Sequence, residues 1–137
     1  MQGVIVLRGG IPWPGGLEVD VTAALCWSAS YLKCAATGND YGLVNVCVLL
    51  GLDKGTVKKA RVALGAIGTL PVRCPEAEKF LLRKTISEDT ARKAALLAVA
   101  DIEMRAHMRA DREYRRKLAA AWLSRAICAA GKDASAR

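Results

Sequence analysis

Cys74 is the residue in this chain best placed for nucleophilic chemistry. It stands directly before Pro75, where a helix is expected to start, and a helix N-terminus favours a thiolate. Its only conceivable base is His107, the single histidine, since a nucleophile needs a neighbouring base or a lowered pKa. Nothing beyond composition joins the two, and the plainer reading makes Cys74 the residue ahead of a Pro-started turn. Glu76 and Glu78, and further on Asp101 and Glu103, form carboxylate pairs. The first pair suits the positive end of a helix and the second a wet surface near Arg105, so neither reads as an acid–base couple. Gly9-Gly10 and Gly15-Gly16 lack the flanking strand and helix of a phosphate-binding loop.

The five cysteines (26, 34, 47, 74 and 128) are odd in number and widely spaced, with no CxxC. They make neither a disulfide framework nor a zinc site, and are expected to be free thiols. No catalytic or metal-ligating set emerges. The basic series Arg105, Arg109, Arg112 and Arg116 follows i, i+4, i+7, i+11 and would share a face if one helix ran through it. Such a face could sit on phosphates or on an acidic protein. Asp111 and Glu113 interrupt it, and no aromatic series stacks bases. A small basic module binding nucleic acid or an acidic protein through the Arg105–Lys117 face is therefore the alternative, and a solvated or subunit-facing surface the main expectation.

These groups must be carried by a single core. A length of 137 residues suits one domain, and 53% hydrophobic with 25% charged residues is a globular composition. The net charge of +8 lies almost wholly beyond residue 78. No apolar run approaches the ~20 residues that span a bilayer, and the N-terminus does not resemble a secretory signal. A cytoplasmic protein without membrane contact is expected.

Residues 1–29 are heavily punctuated by Gly and Pro and read as an extension of uncertain structure. Gly3–Arg8 offers a short strand, and Glu18–Trp27 an edge strand or a helical turn. Tyr31–Ala36, Tyr41–Leu52 and Val57–Ile67 then read as successive strands. Thr37-Gly38-Asn39-Asp40 and Asp53-Lys54-Gly55 join them, making an antiparallel meander. After Gly68 the period changes to that of helices. The first is expected over about Pro75–Arg83. Ser87 caps a second, with Ala91, Ala94, Ala95, Ala98, Val99 and Ile102 on one stripe. The third runs from about Arg109 to Ala130 and ends at Gly131, leaving a polar tail over 132–137. Strands followed by helices predict an α+β fold: an antiparallel sheet of three or four strands packed on one face by a three-helix layer.

Two stretches add a resemblance. ARVALGAIGTLPVRCPEAE (60–78) carries Arg61, Gly65, Pro71, Val72, Arg73, Ala77 and Glu78, with Leu81 one helix turn on. RADREYRR (109–116) carries Arg109-Ala110, Glu113, Tyr114 and Arg115, followed by Arg125-Ala126. Upstream, Tyr31 and Lys33 match an aromatic-x-Lys strand, and Asp40 precedes the apolar YGLVNVCV. In this order and spacing, over about residues 30–131, the set resembles the C-terminal domain of the FAD-binding subunit of molybdenum hydroxylases, the carbon monoxide dehydrogenase and xanthine dehydrogenase group. The resemblance implies a role in assembly or interaction within an oxidoreductase, or in self-association, with no turnover by this domain alone. It implies flavin-domain or molybdopterin subunits, or a second copy, as partners. It also makes Tyr31, Lys33 and Asp40 the positions nearest a flavin edge. FAD belongs to the parent family; no part of these 137 residues resembles its flavin-binding domain. The pattern departs from the family at Thr37-Gly38, where an Arg-rich turn is usual, at Asp111 in place of Ser, and at His107 in place of Asp.

Overall fold

The computed structural model describes residues 3–5, 19–21, 25–37, 41–105 and 110–135. Two short strands, β1 (Gly3–Ile5) and β2 (Val19–Val21), pair antiparallel with each other. The main sheet comprises β3 (Cys26–Cys34), β4 (Val44–Asp53), β5 (Thr56–Gly65) and β6 (Val72–Arg73), antiparallel and in sequence order. Three helices follow: α1 (Pro75–Leu81), α2 (Glu88–Ala100) and α3 (Arg112–Ser135). This is the expected α+β meander, with its fourth strand supplied by Val72–Arg73.

Strand alternation defines two faces. Val44, Val46, Val48 and Leu50 of β4, with Ala60, Val62 and Leu64 of β5, are buried beneath the helices. They meet Ala91, Ala94, Ala95, Ala98 and Val99 of α2 and Ala119, Leu123, Ala126 and Ile127 of α3 in one core. The alanine stripe of α2 lets the helices approach closely, as its spacing predicts. Ile102, its expected last member, lies beyond the helix end and is half-buried. Ser87 caps α2, its hydroxyl accepting from the Thr90 N–H at 3.1 Å. Lys54 (φ 48°) and Gly55 (φ 78°) form the two-residue turn between β4 and β5. Positive φ at both central positions matches the right-handed twist of the flanking strands.

Strand β3 starts at Cys26, five residues before the expected Tyr31. The reason is an inverted pattern. Its helix-facing positions include Ser28 and Ser30, opposite Leu50 and Val48, while Trp27, Ala29 and Tyr31 face away. Buried Ser28 is matched by a polar partner: its hydroxyl donates to Asp133 at 3.1 Å. The same contact corrects the C-terminal expectation. Helix α3 continues through Gly131 to Ser135, with Ala134 buried against the core. Gly131 is no stop signal. A Cβ there would lie 2.6 Å from Ile86 Cγ2, so glycine allows α3 to pass the segment ahead of α2.

Candidate functional site

Arg115 is 2% exposed. Its guanidinium donates to Leu43 O through Nε (3.2 Å) and Nη2 (2.8 Å). Nη1 also donates to Arg105 O, and Nη2 to Ala66 O. Ala66 sits in the left-handed region (φ 62°) just after β5. One cation from α3 thus gathers the entry to β4, the exit from β5 and the α2–α3 connection. Burial lowers its pKa, but an arginine remains charged at neutral pH. Arg116 does a similar task beside it. Its guanidinium donates to Val99 O, and to Ala100 O and Ile102 O at 3.0 Å each. These carbonyls lie at the end of α2, whose last turn holds no basic residue of its own.

Glu78 is 5% exposed on α1. Its Oε1 accepts from the Val62 N–H at 2.9 Å and from Arg73 Nε at 2.8 Å, and Oε2 accepts from Arg73 Nη2 at 2.6 Å. Arg61 Nη1 lies 3.8 Å from Oε2. The carboxylate replaces a missing sheet partner where short β6 leaves β5 uncovered, and the fork of Arg73 balances its charge. The pairing raises the Arg73 pKa, chiefly through the hydrogen bond to Glu78.

Cys74 is not an activated nucleophile. It is buried, and the desolvation, reinforced by the Glu78 carboxylate, pushes its pKa up to about 12. Its N–H bonds Val62 O at 2.9 Å, continuing the β5–β6 ladder. Helix α1 is only seven residues long, too short to overcome that desolvation. His107 lies outside the described residues. Among these residues no group of three or more His, Cys, Asp or Glu could hold a metal ion, and no helix is long and apolar enough to cross a membrane.

The basic series loses its geometric premise. Helix α2 ends at Ala100 and α3 begins at Arg112, so no continuous helix aligns Arg105, Arg112 and Arg116; Arg109 lies outside the described residues. Arg105 offers its backbone carbonyl to Arg115 and its N–H to Ile67 O. Arg116 is bound to the end of α2, and Arg112 is exposed. Tyr31 and Lys33, in contrast, stand together on the helix-free face of the sheet, opposite Cys47 and Asn45. Both are exposed, Tyr31 by 63%. Asp40 lies outside the described residues.

Trp27, Leu49 and Ala63 share that face. The Trp27 ring lies over Gly51: a Cβ on Gly51 would be 3.2 Å from Cη2. Lys59 and Arg61 of β5 border the same surface. Alternation along β5 puts Lys59 on its wetter side, and strand register brings it and Trp27 to the same face as Tyr31 and Lys33.

An antiparallel sheet backed by three helices, with its internal ions serving as cross-links, is an α+β domain. The CO dehydrogenase flavoprotein C-terminal domain family matches residues 29–130. The chain belongs to that family. Quinoline 2-oxidoreductase from Pseudomonas putida 86 is similar in structure, with a TM-score of 0.75 and 34% identity over 85% of this chain and 40% of that one. Carbon monoxide dehydrogenase from Hydrogenophaga pseudoflava gives 0.74 and 28%, over 82% and 39%. The reconstituted CO dehydrogenase from Oligotropha carboxidovorans gives 0.75 and 26%, over 84% and 40%. The chain therefore spans about 40% of the length of the solved relatives it matches. No curated protein sequence matches it.

Proposed function

We propose that this domain is an assembly element of a molybdenum hydroxylase-type oxidoreductase. It does not turn over substrate or bind FAD tightly on its own. It works by presenting the helix-free face of its sheet, with Tyr31 and Lys33, to a flavin-bearing domain or subunit. The observation that carries this reading is how the family-pattern residues are used. Glu78 and Arg115 are buried and cross-link the fold, Arg73 clamping Glu78 from the surface, while Tyr31 and Lys33 point away from the core. A domain built this way is rigid and offers a surface.

The test has two arms. Titrating the purified chain with FAD should leave flavin fluorescence unchanged, and the protein should be colourless. A yellow protein retaining the 450-nm band of oxidised flavin after gel filtration (a general flavin property, on the order of one flavin per chain in a site of this kind) rules the reading out. A FAD-loaded flavin-domain fragment of a CO dehydrogenase flavoprotein, mixed with the chain, should co-elute with it.

A further inference from the structure

Apart from its apolar centre, the helix-free face carries an unbalanced charge. Trp27, Leu49, Cys47, Tyr31 and Ala63 occupy neighbouring register positions across β3, β4 and β5. Lys33 lies at one end, and Lys59 and Arg61 lie at the other end and along the β5 side. Among the described residues, the two carboxylates at the border are already engaged. Asp53 lies 3.9 Å from Lys58, and Glu78 is bound by Arg73. Neither Lys33 nor Lys59 has a carboxylate partner among the described residues.

An apolar centre with a charged rim is the anatomy of a protein interface. A rim of one sign selects a partner of the other sign and repels its own kind. Two copies pressed together by this face would set lysines and arginines against each other, which argues against self-association through it. Nucleic acid fits less well, because among the described residues of this face only one strongly exposed aromatic, Tyr31, could stack a base, and the middle of the face is aliphatic and thiol.

We propose that the helix-free face of the sheet is a docking surface for an acidic protein surface, steered by Lys33, Lys59 and Arg61 and closed over Trp27, Leu49 and Tyr31. This rests on the assembly role and adds the chemistry of the contact.

The experiment measures binding of the FAD-loaded flavin-domain fragment to the intact chain by fluorescence anisotropy at low and high salt. The double variant Lys33→Glu/Lys59→Glu should bind at least tenfold more weakly, and Lys33→Gln/Lys59→Gln should fall between it and the unsubstituted chain. Arg92→Glu/Lys93→Glu, on the exposed side of α2, should bind as the unsubstituted chain does. Added salt should weaken binding of the unsubstituted chain more than that of the Lys33/Lys59 variants. If the fragment binds but the Lys33/Lys59 reversal leaves affinity unchanged, the docking surface is overturned and the assembly role stands. If the unsubstituted chain does not bind the fragment, both are overturned. If a single-stranded oligonucleotide outcompetes the fragment for the same face, the partner class is wrong.

Discussion

The guanidinium of Arg115 is neutralised by carbonyl dipoles from three segments, with no carboxylate bonded to it among the described residues. Truncation to Ala would leave Leu43 O without its donor in a buried space, and Ala66 O and Arg105 O without theirs at its partly buried edge. A buried unsatisfied acceptor costs on the order of 1–3 kcal/mol, so Arg115→Ala should lose about 3 kcal/mol or more. Arg115→Lys should recover only part of this, because an ammonium is a compact charge without the planar fork. Urea midpoints of the two variants check the order. Cys74 gives a pH-dependent counterpart. Its folded pKa of about 12 lies above the ordinary thiol value of 9.0, so burial of the neutral thiol contributes fully below pH 9 and is lost as pH rises toward 12. Each unit in that window removes roughly 1.4 kcal/mol per proton. Cys74→Ala lacks the slope, so the stability gap between the native chain and this variant should shrink by about that amount per unit above pH 9. At neutral pH the native thiol should resist iodoacetamide until the chain unfolds.

Gly131 illustrates how elements rather than residues decide a substitution. In a free-standing helix Gly→Ala stabilises by about 1 kcal/mol. In α3 the new methyl would meet Ile86 Cγ2 at 2.6 Å and Cβ at 2.7 Å, so Gly131→Ala should destabilise, by about 1–3 kcal/mol for an overpacked site. The pair Gly131→Ala/Ile86→Ala should recover stability relative to the single Gly131→Ala change, and thermal melts of the three variants decide it. The same glycine shows where sequence reading stops. Glycine after an apolar helical run ordinarily signals a C-cap, and only the partner Ile86, 45 positions away, reveals a close crossing. The alanine stripe of α2 and the alternation of β4 are local patterns and were legible. Strand β3 was read late because its buried side carries Ser28, whose partner Asp133 is far away in sequence. The break between α2 and α3 was hidden for a similar reason. The regular arginine spacing imitates a helix face, whereas Arg115 and Arg116 are bonded to the ends of other elements. The candidate face was half legible: Tyr31 and Lys33 came from the resemblance, while Trp27 and Lys59 needed register.

On the scale of the whole molecule, the core and the ionic cross-links of the described residues lie in the part that begins at β3. The core joins β4 and β5 to all three helices, and the ionic cross-links of Arg115, Arg116 and Glu78 lie within it. The family match likewise begins at residue 29. By contrast, β1 and β2 pair with each other and belong to a separate two-stranded sheet. A two-stranded sheet is marginal by itself in water, and β1 and β2 share no ladder with the main sheet. Removal of residues 1–24 should therefore change unfolding free energy by less than about 0.5 kcal/mol, the range of substitutions away from core features. It should also leave the urea m-value nearly unchanged, because m scales with the surface exposed on unfolding. A clear fall in both would mean that the N-terminal segment packs on the domain, and the exposed sheet face would be the surface to examine for it. If the shortened chain keeps both its stability and its affinity for the flavin-domain fragment, then β3 to α3 is the complete folding unit and its helix-free face is available to a partner.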